Sequence, residues 1–171
     1  MKQIIDFTII EKLSFQRAAL LRLRPVVETF PETSLPEIRG GQFVNVRVDG
    51  CEKAYLRRPI SIHDVDYQNN TIDLLIQEKH EGTKTLCALP VGATVNIVLP
   101  LGNGFTMPEK DDNVLLVGGG IGIAPLYYFA KTIHSIILCR DAIHRVSFTN
   151  ICISRDAINR RFKVLLFSET R

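Results

Sequence analysis

The 171-residue sequence holds four cysteines, Cys51, Cys87, Cys139 and Cys152, and no two of them form a close pair. Zinc and iron–sulfur sites favour clustered cysteines, because a short loop must bring two thiolates to one ion. The spacing gives no metal site, and free thiols in a reducing compartment are the expectation. His63, His80, His134 and His144 are equally scattered, and no HExxH pair occurs. Long apolar runs are missing too. Nothing approaches the ~18 apolar residues of a membrane span, so no membrane contact is expected. Lys2 leads into a short apolar stretch broken by Asp6 and Glu11, which makes a poor signal peptide. The cytoplasm is therefore the default compartment. Charge of one sign is also scarce: 21 Lys and Arg against 18 Asp and Glu leave +3. That excess is too small for a nucleic-acid footprint. No Gly-Lys-Ser/Thr loop, no G-x-S-x-G elbow and no patterned acid/base pair is present, so no catalytic residue is assigned.

What is there reads as globular. Apolar residues make up 46% and charged residues 23%, which argues against disorder. The length suits one domain or two small ones. As far as about Asn103 the chain reads as strands and turns. In 42–48, Val44, Val46 and Val48 share one face after the Gly40-Gly41 turn. A strand is expected over 58–63, entered through Pro59. Another follows over 71–77, with Ile72, Leu74 and Ile76 together. Gly82-Thr83 looks like a loop feeding a short helix, with Thr83 as a candidate cap. In 94–99, Val95, Ile97 and Leu99 alternate. Short strands at this spacing predict a small antiparallel barrel.

The pattern changes near residue 105. Residues 108–113 are polar and linker-like. Val114 to Val117 is an uninterrupted apolar strand, of the kind a covered parallel sheet uses. It runs into Gly118-Gly119-Gly120-Ile121-Gly122, then a helical stretch from about Ala124 to His134, with Pro125 tolerated in the first turn. Strands are expected at 136–138 and 163–167. This is the opening of a Rossmann-like unit, and the chain is too short to complete a doubly wound one. The fold class is thus mostly β plus α/β: a barrel over 1–104 and an incomplete nucleotide-binding unit over 111–171. A half-built parallel sheet has an unpaired edge, so association or instability is expected.

Two segments carry chemistry. The glycine turn at 118–125 lets backbone approach a pyrophosphate, with helix amides behind it. It is not a clean GxGxxG, since Pro125 stands at the third position, and an ordinary tight turn remains open. Asp141 is the nearest candidate for a ribose acid. In Arg57-Arg58-Pro59-Ile60-Ser61, guanidiniums beside a proline-fixed strand suit a phosphate, and a nearby hydroxyl suits a cofactor ring. A pair of surface arginines is the plain alternative.

Taken in order, the GQFVNV, LRRPISI, Gly82-Thr83, LPLGNGF and LLVGGGIGIAPL segments resemble the electron-transfer subunit of dihydroorotate dehydrogenase type B, in the ferredoxin–NADP reductase-like superfamily. The resemblance covers roughly residues 38–133. It implies a flavin-binding barrel followed by a nicotinamide-nucleotide domain. Arg58 would take the FAD pyrophosphate, and Ser61 would lie beside the isoalloxazine ring. Pro59, Ile60 and Ile62 would shape the pocket mainly through backbone. Gly82 and Thr83 match the loop that holds the FAD phosphates. Gly119, Gly120, Gly122 and Pro125 match the turn facing NAD(H). Such subunits pass electrons from NADH through FAD and a two-iron two-sulfur cluster to an FMN-containing catalytic partner, in a heterotetramer serving pyrimidine biosynthesis.

Three departures stand out. Gly40 replaces the family's usual proline, which should loosen that turn. Lys79-His80-Glu81-Gly82-Thr83 keeps only the second glycine of the family's Gly-x-Gly-Thr, with His80 beside the phosphate loop. Past Leu126 nothing matches beyond a few helical residues, and Cys139 and Cys152 lack cluster spacing. The expectation is a chain shortened by truncation or frameshift, without the cluster. A non-catalytic partner-binding barrel, or a flavin reductase with another acceptor, stays open beside this reading.

Overall fold

In the computed structural model, residues 2–26, 35–51, 53–109, 114–133, 150–153 and 162–167 are described. Six strands make the first unit: β1 (Gln3–Phe15), β2 (Ala18–Pro25), β3 (Phe43–Val46), β4 (Arg58–Asp66), β5 (Thr71–Gln77) and β6 (Thr94–Leu101). They pair antiparallel in the order β1-β2-β5-β4-β3-β6, and β6 returns to β1 to close a barrel. Closure removes the exposed edges that an open sheet would present.

The alternation read from the sequence supplies the interior. Ile5, Phe7 and Ile9 of β1, Leu21 and Leu23 of β2, Val44 and Val46 of β3 and Val95, Ile97 and Leu99 of β6 are all buried in one core. Successive strand residues point to opposite faces, so each strand contributes every second side chain. Strand β4 follows this rule through Ile60 and Ile62. It then breaks phase at an irregularity between Ile62 and Asp64 and resumes with Val65 inside. Strand β5 is buried on both faces from Thr71 to Ile76. On its outer side, Asp73 accepts from Nε and Nη2 of Arg22, each at 2.9 Å. That pairing offsets the burial of a carboxylate, and it keeps the Arg22 guanidinium firmly charged through the Asp73 hydrogen bonds.

Helix α1 (Glu81–Ala88) adds Leu86 and Cys87 to the core. The Cys87 thiol donates weakly to the Ile76 carbonyl at 3.5 Å, and burial pushes its pKa up to about 11. It is an inert packing group. Cys51 is half-buried and also free.

Strand β7 (Val114–Gly118) leads through a 3-10 turn (Gly120–Ile123) into helix α2 (Ala124–Thr132). It pairs parallel with β9 (Phe162–Phe167), as the apolar run at 114–117 suggested. Strand β8 (Asn150–Ile153) pairs antiparallel on the far side of β9. The Rossmann-like expectation is met only in its first strand, glycine turn and helix. A doubly wound unit needs successive parallel strands joined by crossover helices. Among the described residues there is one parallel pair, one antiparallel pair and α2. The strand expected at 136–138, the helix end at His134, and Asp141 and Cys139 lie outside the described residues. The linker-like stretch 108–113 is described only to residue 109.

Helix α2 packs on the outside of the barrel, chiefly against β4. The contact adds to the reading of Gly40. A Cβ there would lie 2.6 Å from both Cα and Cβ of Phe129 in α2. Gly40 also admits α2 to the barrel wall. Alanine at this position forces backbone apart. Gly40→Ala should cost about 1–3 kcal/mol, the usual range for overpacking, read as a lower midpoint in urea unfolding. An unchanged midpoint would mean that α2 does not rest on the barrel here.

Candidate functional site

The two neighbouring arginines have different fates. Arg57 turns under the barrel wall. Its Nη1 donates to the carbonyls of Asn96 at 2.9 Å and Asn45 at 3.4 Å, and its Nη2 donates to the Asn96 side chain. Asn96 in turn donates to Asp6 at 2.6 Å. Arg57 thus ties β3 to β6, and the paired-arginine grip imagined from the sequence does not form. The Arg58 guanidinium has no hydrogen bond or ion pair among the described residues. It is half-buried at the start of β4.

Arg58 lies against the first turn of α1. A Cβ on Gly82 would stand 3.2 Å from Arg58 Cδ and 3.2 Å from Ala54 Cβ. The missing side chain at 82 is what lets the arginine stem lie alongside the helix. Two segments 24 positions apart in sequence, singled out separately as phosphate candidates, therefore meet. The first-turn amides of a helix are orphan donors, and the Arg58 stem runs beside this turn.

Thr83 has another task. It is the third helical residue, and His80 is the cap, so the capping role expected of Thr83 is displaced by three positions. Its Oγ1 accepts from the amides of Lys79 at 3.0 Å and His80 at 3.1 Å and donates to the His80 carbonyl at 3.0 Å. The hydroxyl is spent on shaping the loop.

Along β4 the side chains divide by parity. Ile60 and Ile62 point into the core, so only their backbone can serve a site. Pro59 is exposed opposite Asn45, and Ser61 is half-buried opposite Phe43. The Ser61 hydroxyl has no partner among the described residues.

The GQF and LGNGF segments, each weak alone, clamp one another. Gln42 accepts from the Arg39 amide at 2.7 Å and donates from Nε2 to the Gly102 carbonyl at 2.8 Å. The Phe105 amide donates to the Gly40 carbonyl at 2.7 Å. Gly41 (φ +89°) sits under the Phe105 ring, where a Cβ would approach ring atoms to 2.7 Å. Phe105 also packs on Phe129 of α2, with centroids 5.0 Å apart.

In the glycine turn, Gly119, Gly120 and Gly122 are exposed, and no atom lies within 4 Å of a Cβ built on any of them. Pro125 occupies the second position of α2. The glycine required for packing is Gly118: its Cβ would meet Leu126 at 2.9 Å and Ile123 at 3.0 Å. Gly118 does the close-packing work of a third glycine from the strand side of the turn. Its position at the end of the apolar run was the available signal.

Sequence reasoning also missed His63 and Asp64, which carry the α2 contact. Asp64 receives Lys131 on both oxygens at 2.7 Å. Among the described residues no group of His, Cys, Asp or Glu could hold a metal ion, and no helix is long and apolar enough to cross a membrane.

A closed six-stranded barrel with one capping helix and a glycine turn into an outside helix defines the ferredoxin-reductase-like class. Solved structures agree. The NADH-dependent reduced ferredoxin-NADP oxidoreductase is 30% identical with a TM-score of 0.61, over 74% of this chain and 43% of that one. Phthalate dioxygenase reductase, at 22% identity, shares the fold with a TM-score of 0.61 over 75% of this chain and 39% of that one. Within that class, and over about half its length, the chain is similar to the electron transfer subunit of dihydroorotate dehydrogenase B (NAD(+)). The Shouchella clausii protein is 46% identical over 93 residues, which is 53% of this chain and 36% of that one. The Fusobacterium nucleatum protein is 41% identical over the same shares. The matched stretch therefore spans little more than a third of these relatives. No family model matches the chain. The resemblance read from the motifs is upheld as a partial one: over about half its length the chain is similar to dihydroorotate dehydrogenase B electron transfer subunits, and its fold is that of the ferredoxin-reductase-like structures.

The two arginines should separate in stability measurements. Arg57→Ala removes the donors to the Asn45 carbonyl and the Asn96 side chain, while the Asn96 carbonyl keeps the Arg47 amide, and should cost about 1–3 kcal/mol. Arg58→Ala should stay within about 0.5 kcal/mol of the wild type. Equal losses in urea unfolding would refute the division of labour.

Proposed function

We propose that this chain binds FAD and acts as an electron-transfer component between NADH and an FMN-containing catalytic subunit of dihydroorotate dehydrogenase. The observation that carries the reading is the unpaired Arg58 guanidinium lying beside Gly82 at the first turn of α1. A positive fork next to orphan amides suits a diphosphate. Arg58, Gly82 and the α1 amides would hold the pyrophosphate, with Thr83 shaping the loop. Ser61, with Pro59 and the backbone of Ile60, would lie along the flavin ring, where the free hydroxyl is available to a ring heteroatom. Gly119, Gly120, Gly122 and Pro125, in an open turn, would face the nicotinamide nucleotide at the start of a partial Rossmann-like unit. On this reading 1–104 is the FAD-binding unit and 111–171 the incomplete nucleotide-binding one.

Bound FAD would supply the conversion between two-electron and one-electron transfer. The chain's own residues supply position and charge. The arginine neutralises phosphate, the closed barrel keeps β4 rigid, and the clamp of Gln42 on Gly102 fixes the strand beside it. We assign no cluster-ligating residues to this chain, so transfer beyond the flavin belongs to whatever else joins the complex.

The test is reconstitution of the full chain with FAD, followed by gel filtration and a visible spectrum. Oxidised-flavin absorption should co-elute with the protein. Arg58→Ala should weaken FAD affinity roughly 10- to 100-fold, in line with loss of a charge-assisted contact, at unchanged stability. A chain that never retains FAD would overturn the proposal and favour a partner-binding barrel.

A further inference from the structure

The break of phase in β4 has a physical effect on its outer face. A bulge inserts one residue into a strand and re-aims its side chains. Between Ile62 and Val65, which both point inward, His63 and Asp64 are both half-buried and both meet α2. The His63 ring stacks on Tyr127 with centroids 4.7 Å apart and planes at 19°. Its Nδ1 lies 3.1 Å from the carbonyl oxygen of Ala124, the first residue of α2. A carbonyl only accepts, so Nδ1 carries the proton and Nε2 is the basic nitrogen of the neutral ring. Lys131, held by Asp64, has its Nζ 5.7 Å from the centroid of the same Tyr127 ring.

We propose that His63 is a positioning residue: its neutral form holds the glycine turn and the start of α2 against β4, and proton uptake at Nε2 loosens that hold. The groups facing it come from every neighbouring element. Burial, the largest effect, and Lys131 on α2 oppose a charged ring, while the Ala124 carbonyl on α2, Asp64 on β4 and Asp73 on β5 favour it. Arg22 on β2 already occupies Asp73, and Asp64 is already held by Lys131. Both carboxylates are therefore spoken for. A second cation would stand against the same Tyr127 ring as Lys131. Burial dominates, and it pushes the His63 pKa below its ordinary 6.5. The sign follows from linkage. The unfolded chain takes up the proton first, so the contribution is complete above about 6.5 and is lost as pH falls through the lower folded value. The inference does not depend on FAD, because every group in it belongs to the chain.

The experiment is an NMR pH titration of the full chain without added cofactor, following the His63 ring and the amides of Gly119, Gly120 and Gly122. The expected result is a His63 midpoint below 6.5 with the turn amides moving at the same midpoint. His63→Gln keeps an N–H for Ala124 but takes up no proton, so in this variant the turn amides should stay at their high-pH positions throughout. Turn amides that stay still while His63 titrates would overturn the proposal. So would an unchanged transition in His63→Gln, or a His63 midpoint at or above 6.5. If that variant does not fold, Lys131→Gln decides. Removing this cation should raise the His63 and turn midpoints together, by roughly a few tenths of a unit, and midpoints that fail to rise together would count against the proposal. A histidine that merely packs would leave the turn unmoved.

Discussion

Strand β4 works under a constraint that no other strand of the barrel shares. It must bury Ile60, Ile62 and Val65 in a core closed on all sides, and it must also set Arg58 beside α1 and present one face to α2. Strict alternation would satisfy the core but give α2 a single side chain in every two. The irregularity between Ile62 and Asp64 lets two consecutive residues face out without opening the interior. Strand β3 pairs with β4 up to Ser61, and β5 pairs with it on both sides of the irregularity, at Ile62 and again from Asp64 to Asp66. Closure comes first, and the features outside the barrel depend on it.

The same logic explains why the glycines matter where they do. Gly40, Gly41 and Gly118 have neighbours within 3 Å of any added Cβ, whereas Gly119, Gly120 and Gly122 have none. The first group admits aromatic and aliphatic side chains of Phe129, Phe105 and Leu126 against bare backbone. The second leaves backbone open to whatever approaches from outside. One glycine-rich stretch therefore does two jobs, packing from its first residue and exposure from the next. Gly82 belongs with the packers by distance, but what it admits is an arginine stem rather than a ring. That makes it the point where packing and charge are set together.

Much of this was legible in the sequence because it follows from period two. The faces of Val44 and Val46, of Ile72, Leu74 and Ile76, and of Val95, Ile97 and Leu99 are the faces that are buried. The boundaries of β5 match the apolar pattern residue for residue. What alternation cannot announce is where it stops: nothing in Ile62-His63-Asp64-Val65 marks a bulge, so His63 and Asp64 passed unnoticed. Long-range meetings were equally hidden. Arg57 and Arg58 look interchangeable in sequence, and only the position of Asn96 across the barrel distinguishes them. The packing role of Gly40 was hidden because the space beside it is filled by a helix that begins some 80 positions later. The nucleotide-binding half was over-read for the converse reason. A strand, a glycine turn and a helix make a strong local pattern, but the sheet order that defines a Rossmann unit is a property of pairings far apart in sequence.

The contrast between Arg57 and Arg58 also bears on how a site stays available. A guanidinium with five donors will find acceptors if any are near, since leaving it desolvated and unpaired is costly. Arg57 points at two backbone carbonyls and an amide side chain and is absorbed by them. Arg58, one residue on, points along the opposite side of the chain. There its stem runs past Ala54 and Gly82, which offer aliphatic contact and no acceptor within reach of the head group. Packing fixes the stem while chemistry leaves the fork unspent. A helix start offers amide donors rather than acceptors, so it cannot satisfy the arginine either. On the proposed reading, a diphosphate would bring oxygens to both the arginine fork and the helix start.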